Sequence, residues 1–205
     1  MNSNELNIAE DCIYPSDNIF DIPCLRIDKQ AGYLLLPFAP YGVGRKTKLA
    51  QTIHFYVDDY RFASIWRNPA KVLNSQVRAI VELNYSLFDT TPLAQGLDSI
   101  YKKRWLSRYF QECGLNVYVD LNVSPKFAEY NILGIPAGYN AFATRGNRGC
   151  ISHLQQELHI AKTISGNDIP NLIVYGGGNE IHDFCNQNSL VYVPDYMTQK
   201  GVENG

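Results

Sequence analysis

The run Ile53-His-Phe-Tyr-Val-Asp-Asp-Tyr60 is an apolar stretch that stops abruptly at two carboxylates, Asp58 and Asp59. In folds built on parallel strands, ligands bind beyond the carboxyl ends of the strands. An acid pair at such an end is therefore placed to ligate a divalent ion such as Mg²⁺ or Mn²⁺, or to take a proton as a general base. Successive strand residues point to opposite sides, so one of the two is expected to face the site. The competing reading is a pair of solvated turn or cap residues, a role that Asp fills by default.

Four more apolar runs end in polar residues that a parallel sheet would gather on the same rim. They supply Asn84, Tyr85 and Ser86, then Asp120 and Asn122, then Thr144 and Arg145, and lastly Gly176, Gly177, Gly178 and Asn179. Asp58, Asp59 and Asp120 are the candidate acid–base groups, and Tyr85 and Cys150 the candidate nucleophiles. Asn84, Thr144 and Arg145 are candidates for holding a ligand. The triple glycine allows a ligand, or another stretch of backbone, to come close.

The segment Thr144-Arg-Gly-Asn-Arg-Gly-Cys150 follows a strand and opens a helix. Arg145, Arg148, Gly149 and the helix N-terminus together could bind phosphate or carboxylate. Cys150, if exposed at that N-terminus, would have its thiol acidified. The spacing is neither a phosphate-binding P-loop nor a dinucleotide fingerprint, and an ordinary strand-to-helix turn also accounts for it. Cys150 with His153, and His182 with Cys185, have i, i+3 spacing, but their order is unlike that of the usual zinc fingers.

Two basic stretches could meet nucleic-acid phosphate. One is the Gly-rich loop 40–48, with Arg45, Lys46 and Lys48. The other is the helix 101–110, whose Lys103, Arg104 and Arg108 alternate with Tyr101, Trp105 and Tyr109. Cations and aromatics on one helix suit phosphate binding and base stacking. The same pattern also describes an amphipathic helix with its rings buried and its charges in water.

These residues require a scaffold of alternating strands and helices. Residues 53–57, 78–83, 116–121, 139–143, 171–175 and 190–193 read as strands, and 33–38 as a short edge strand because of Pro37. Helices are predicted over 62–73, interrupted near Asn68-Pro69, from Thr91-Pro92 to Cys113 with Gly114 as a stop, and over 151–164 closed by Gly166. This is the pattern of βαβ units around a mostly parallel sheet in one α/β domain. The length of 205 residues is short for a complete eight-unit barrel. A partial barrel-like sheet or an open doubly wound sheet is expected, with residues 1–50 as an amino-terminal arm, 51–195 as the α/β domain and 196–205 as a flexible tail.

The net charge of −2 and the 19% of charged residues give no global attraction to nucleic acid or an acidic membrane, so any such binding needs a local patch. Five scattered cysteines (Cys12, Cys24, Cys113, Cys150, Cys185), with no signal-peptide pattern and no membrane-length apolar run, point to reduced thiols and a cytoplasmic location.

Several short motifs in order carry a resemblance. They are Ile53–Tyr60 with Arg61-Phe62 and Ile65-Trp66, then Tyr85-Ser86, Pro92-Leu93-Ala94, Arg104-Trp105, Gly134-Ile135-Pro136 and Gly149-Cys150. Over about residues 50–180 the chain resembles the bacterial and phage family called domain of unknown function 4417. The resemblance implies no assigned activity. It implies a phage or mobile-element setting, hence nucleic acid or nucleotides as ligands, with metal-assisted phosphodiester chemistry at the strand ends as one form. A non-enzymatic protein that binds a host or defence protein is the second reading, and a small-molecule α/β enzyme the third. Where family members tend to carry Asp before the aromatic-Ser pair, this chain has Asn84, which weakens a catalytic or metal-ligating role there. Gly149-Cys150 retains the family's pattern.

Overall fold

The computed structural model describes residues 13–195. Cys12, the first part of the expected arm and the expected tail lie outside the described residues. Seven strands, β1 (Phe38–Pro40), β2 (Thr52–His54), β3 (Ala79–Val81), β4 (Asn116–Asp120), β5 (Phe142–Arg145), β6 (Leu172–Tyr175) and β7 (Val191–Val193), form one sheet in sequential order. Every neighbouring pair is parallel. The strands are short apolar runs, as expected where both faces are covered.

The sheet curls. In a flat sheet β2 and β6, four positions apart, would be separated by about 19 Å at about 4.8 Å per strand. Instead the His54 and Tyr175 rings lie 4.5 Å apart, and Tyr56 stacks on Tyr175 at 5.7 Å. The result is a half-barrel in a single α/β domain. Of the two architectures expected, the sequential strand order and this curl select the partial barrel.

Five α-helices are described: α1 (Gly44–Leu49), α2 (Leu93–Glu112), α3 (Ala128–Asn131), α4 (Ile151–Ser165) and α5 (Asn179–Gln187). The core has two main parts. Trp105, Leu106 and Phe110 of α2 pack with Ile53, Ile80 and Val117, joined by Phe62 and Ile65. Leu154, Leu158 and Ala161 of α4 pack with β4–β6. Gly166 ends α4 in the left-handed conformation (φ 69°), its N–H donating to the Lys162 carbonyl at 2.9 Å.

Several local expectations are corrected. The helix predicted over 62–73 breaks at Asn68-Pro69 as expected, but its two halves are 3₁₀ turns, Ala63–Ile65 and Pro69–Val72, following another at Asp59–Arg61. Pro69 lacks an N–H and pushes Asn68 out of the helical region (φ −146°), so a continuous helix cannot form. The edge strand starts at Phe38 rather than Tyr33, and part of the Gly-rich loop is the helix α1. The helix α5 was not anticipated, although Ile181, Phe184 and Cys185 have helical spacing.

Residues 13–50 do not form a separate arm. Ile22, Leu25 and Ala31 are buried. The Leu25 N–H donates to the Gly134 carbonyl at 2.8 Å, and Gln30 forms a parallel bridge with Val117. The Gln111 side chain holds this segment at both ends of its amide, accepting from the Arg26 N–H at 2.7 Å and donating to the Arg26 and Lys29 carbonyls. The lead-in thus covers the amino-terminal end of the barrel near the start of β4. The carboxyl end is left for ligands.

Candidate functional site at the carboxyl rim

Beyond the carboxyl ends of β2–β5 lie two polar cavities with a common wall. One, of about 350 Å³, is lined by Val43, Tyr56, Val57, Asp58, Arg61, Asn84, Ser86 and Arg145. The other, of about 270 Å³, is lined by Asn84, Tyr85, Ser86, Phe88, Asn122, Arg145 and His153, among others. Asn84, Ser86 and Arg145 belong to both.

Arg145 is the last residue of β5 and is exposed. Its guanidinium has no hydrogen-bonded or ion-paired partner among the described residues, so its five donors are open to a ligand. Thr144, one residue earlier, is buried and faces the other way.

Asp58 and Asp59 lie beyond the end of β2, where the Asp59–Arg61 turn sends them in different directions. Asp58 is exposed, forms a loose 3.7 Å pair with Arg61 and lines the first cavity. Asp59 is committed: it accepts from the Ser86 N–H at 3.0 Å and the Ser86 hydroxyl at 2.9 Å, fixing the turn after β3. Tyr85 packs edge-on against Phe62, and burial, with help from Asp59 and Asp98, raises its hydroxyl pKa far from the nucleophilic range.

Asp120 is fully buried beneath the rim. Its Oδ1 accepts from the Tyr56 hydroxyl at 3.1 Å and from the Asn122 N–H at 3.2 Å. With the Asn84 amide oriented to satisfy both of its ends, the amide nitrogen donates to Asp120 Oδ2 at 3.2 Å. Burial lifts the carboxyl pKa to about 6, against the opposing pull of Lys103 at 3.5 Å. Asp120 therefore positions Tyr56 and Asn84, which face the cavity, and does not reach it itself.

The loop after β5 is arranged otherwise than a phosphate cradle. The Gly149 N–H donates to Glu180 Oε2 at 3.3 Å, so a resident carboxylate already occupies the anion position there. Cys150 is exposed, with a free thiol, and lines neither cavity. The triple glycine serves backbone packing: a Cβ on Gly177 would sit 2.8 Å from the Gly146 carbonyl carbon, and one on Gly176 2.9 Å from Asp195. Arg148 lies over Gly178.

Of the basic stretches, α1 presents Arg45, Lys46 and Lys48 on the surface, with Val43 at its start touching the first cavity. The α2 cations are different. Arg104 is fully buried, donating to Glu82 Oε1 at 2.8 Å and to the Asn131 carbonyl at 2.6 Å. Lys103 is buried against Asp120, and burial lowers its pKa. Arg108 donates to the Cys24 carbonyl at 2.7 Å and to Glu112. Lys103 and Arg104 are thus internal ties, and neither is on a surface that nucleic acid could touch.

Sequence reasoning passed over Tyr56, Tyr60 and Phe88. Phe88, 65% exposed, shares the second cavity with Arg145, whereas Tyr60, 73% exposed, lines neither cavity and has Arg61 over its ring at 5.7 Å. The exposed ring beside an unpaired arginine was detectable in Ser86-Leu-Phe88 only once that loop was known to neighbour the end of β5. Among the described residues no three His, Cys, Asp or Glu side chains converge on a metal position, so the spaced pairs Cys150/His153 and His182/Cys185 do not assemble one. No helix of the described residues is long and apolar enough to cross a membrane.

The chain is similar to the Gene 1 protein of Mycobacterium phage L5, 29% identical over 193 residues covering 90% of this chain and 82% of that protein. It is also similar to the Gene 1 protein of Mycobacterium phage D29, 27% identical over 195 residues, covering 90% and 69%. No solved structure matches. The family model for the domain of unknown function DUF4417 matches residues 14–185, which takes in the lead-in that packs under the barrel as well as the motifs from Ile53 onward; the chain belongs to the DUF4417 family.

Proposed function

We propose that the carboxyl rim binds a nucleotide or nucleic-acid segment by its phosphate, with Arg145 as the anion anchor. The observation that carries this reading is the unpaired Arg145 guanidinium in the wall shared by two polar cavities. Arginine is suited to phosphate because its planar fork donates two parallel hydrogen bonds. Asn84 and Ser86 flank it. Phe88 offers a ring face for a base, and Arg45 and Lys48 add local charge on an otherwise mildly acidic chain. The phage origin of the relatives suits such a ligand.

A Mg²⁺ or Mn²⁺ ion accompanying the phosphate would have Asp58 as its carboxylate, the remaining positions falling to phosphate oxygens and water, as Mg²⁺ commonly requires. In a hydrolytic form of the activity the same carboxylate is, among the described residues, the rim acid free to accept a proton, since Asp59 is held by Ser86 and Asp120 is sealed beneath Tyr56.

The test is binding of labelled single- and double-stranded DNA, RNA and mononucleotides at low and moderate salt, with and without Mg²⁺ or Mn²⁺. Salt-sensitive binding is expected, weakened at least tenfold in Arg145→Met, and any metal-dependent cleavage should vanish in Asp58→Ala. Failure to bind any phosphate-bearing probe, or unchanged binding by Arg145→Met, would overturn this reading in favour of a protein partner.

A further inference from the structure

A separate cavity of about 490 Å³ lies between the Pro125–Ile132 segment and α4. Its size is that of a small-molecule site. Leu121, Val123, Ile132 and Ile160 give it an apolar surface, Asn131 and Glu157 are its buried polar side chains, and His153 and His159 stand with glutamines on its more exposed α4 side.

Each of these polar groups has one buried oxygen without a close hydrogen-bond partner. Asn131 is 1% exposed; its amide nitrogen donates to the Asp120 carbonyl at 3.0 Å, which leaves Oδ1 without a partner. Glu157 is 3% exposed, and its Oε1 has no hydrogen-bond partner either. The nearest cation-forming nitrogen, His153 Nε2, is 3.9 Å away and donates instead to the Val123 carbonyl at 3.0 Å. The other groups acting on Glu157 are the Thr144 hydroxyl, which favours its ionised form, and the Asp120 carboxyl, which opposes it. Tyr56 also senses its charge. Buried acceptors without donors are rare in folded proteins and mark a place where a further group belongs.

We infer that this cavity is a second binding site, for an aliphatic amine whose ammonium meets Glu157 and Asn131 and whose stem lies along Leu121, Val123, Ile132 and Ile160. An ammonium supplies three donors and no acceptor, which complements two orphan acceptors. Burial raises the Glu157 pKa to about 8, so the carboxyl is largely protonated at pH 7. Entry of the cation favours the carboxylate, and the carboxyl proton passes to buffer as the ion pair forms. The cavity adjoins the second rim cavity through Val123 and His153, but the amine reading does not rest on the phosphate reading there.

Titration calorimetry with n-hexylammonium at pH 7, in phosphate and in Tris, tests it. Binding is expected with a heat that differs between the buffers, because a proton is released. 1-Hexanol and hexanoate should bind at least tenfold more weakly, and Glu157→Gln should weaken the amine at least tenfold. Equal affinity for hexanol, an unchanged affinity in Glu157→Gln, or no binding at all would overturn the assignment. If Glu157→Gln does not fold, Ala128→Leu, which fills the cavity from its wall, must abolish amine binding, and retention there overturns it equally.

Discussion

The Arg104 guanidinium donates to Glu82 Oε1 at 2.8 Å with both side chains fully buried, tying the middle of α2 to the carboxyl end of β3. The same arginine donates to the Asn131 carbonyl, while Glu82 Oε2 accepts from the Asp120 N–H at 3.2 Å. One ion pair thus joins β3, β4, α2 and α3 directly below the rim. Removing one member of such a pair leaves the other charge buried and alone, which costs about 3–5 kcal/mol. Arg104→Met is expected to lower stability by that amount in urea denaturation. The double variant with Glu82→Gln should lose clearly less than the sum of the two single changes.

Stability should depend on pH through two buried groups of opposite sign. The Glu157 pKa, raised by burial to about 8, means the folded state holds its proton more tightly than the unfolded chain. Its contribution to stability is therefore full below about pH 4.5 and falls as pH rises towards about 8, by at most about 1.4 kcal/mol per pH unit. His54 is the reverse: burial, with a contribution from Arg145, depresses its pKa to about 3. Its contribution is present above about pH 6.5 and is lost as pH falls towards 3. Melting temperatures across pH 4–9 should show Glu157→Gln flattening the alkaline limb and His54→Phe flattening the acid limb.

The neighbouring acids of the rim should behave differently. Asp58→Ala removes an exposed group with one loose pair and should leave the melting temperature essentially unchanged. Asp59→Ala deletes both hydrogen bonds to Ser86, at a cost of about 1–3 kcal/mol. Thermal unfolding of the two variants side by side separates the cavity-lining carboxylate from the structural one.

Gly96 in α2 is a contact point. A Cβ there would lie 2.1 Å from Phe127 Cε1, and the Phe127 ring is itself buried among Ile22, Ile100 and Val123. The ring cannot swing into open space, so Gly96→Ala should be destabilising by about 1–3 kcal/mol or more, despite the better helix propensity of alanine. A stability gain in chemical denaturation would show that the ring yields.

The amino-acid sequence by itself determined the alternation of strands and helices, the parallel sheet and the identity of the residues at each strand end. Those features follow from hydrophobic period, proline and glycine placement, and strand length, all of which act over a few residues. Arg145, Asn84 and Asp58 could be assigned to one rim on that basis. Only the tertiary structure decided which charges face water. Lys103 and Arg104 look like a surface patch because a helix pattern records where cations occur, not what lies opposite them. Here the opposing groups, Asp120 and Glu82, sit 17 and 22 residues away in sequence, and the pairs form once β3 and β4 bring their carboxyl ends beneath α2. The separation of Asp58 from Asp59, the filling of the glycine loop by backbone and the cavity beside Glu157 depend in the same way on contacts between distant segments. Such contacts arise from the curl of the whole sheet, and no local run of residues encodes them.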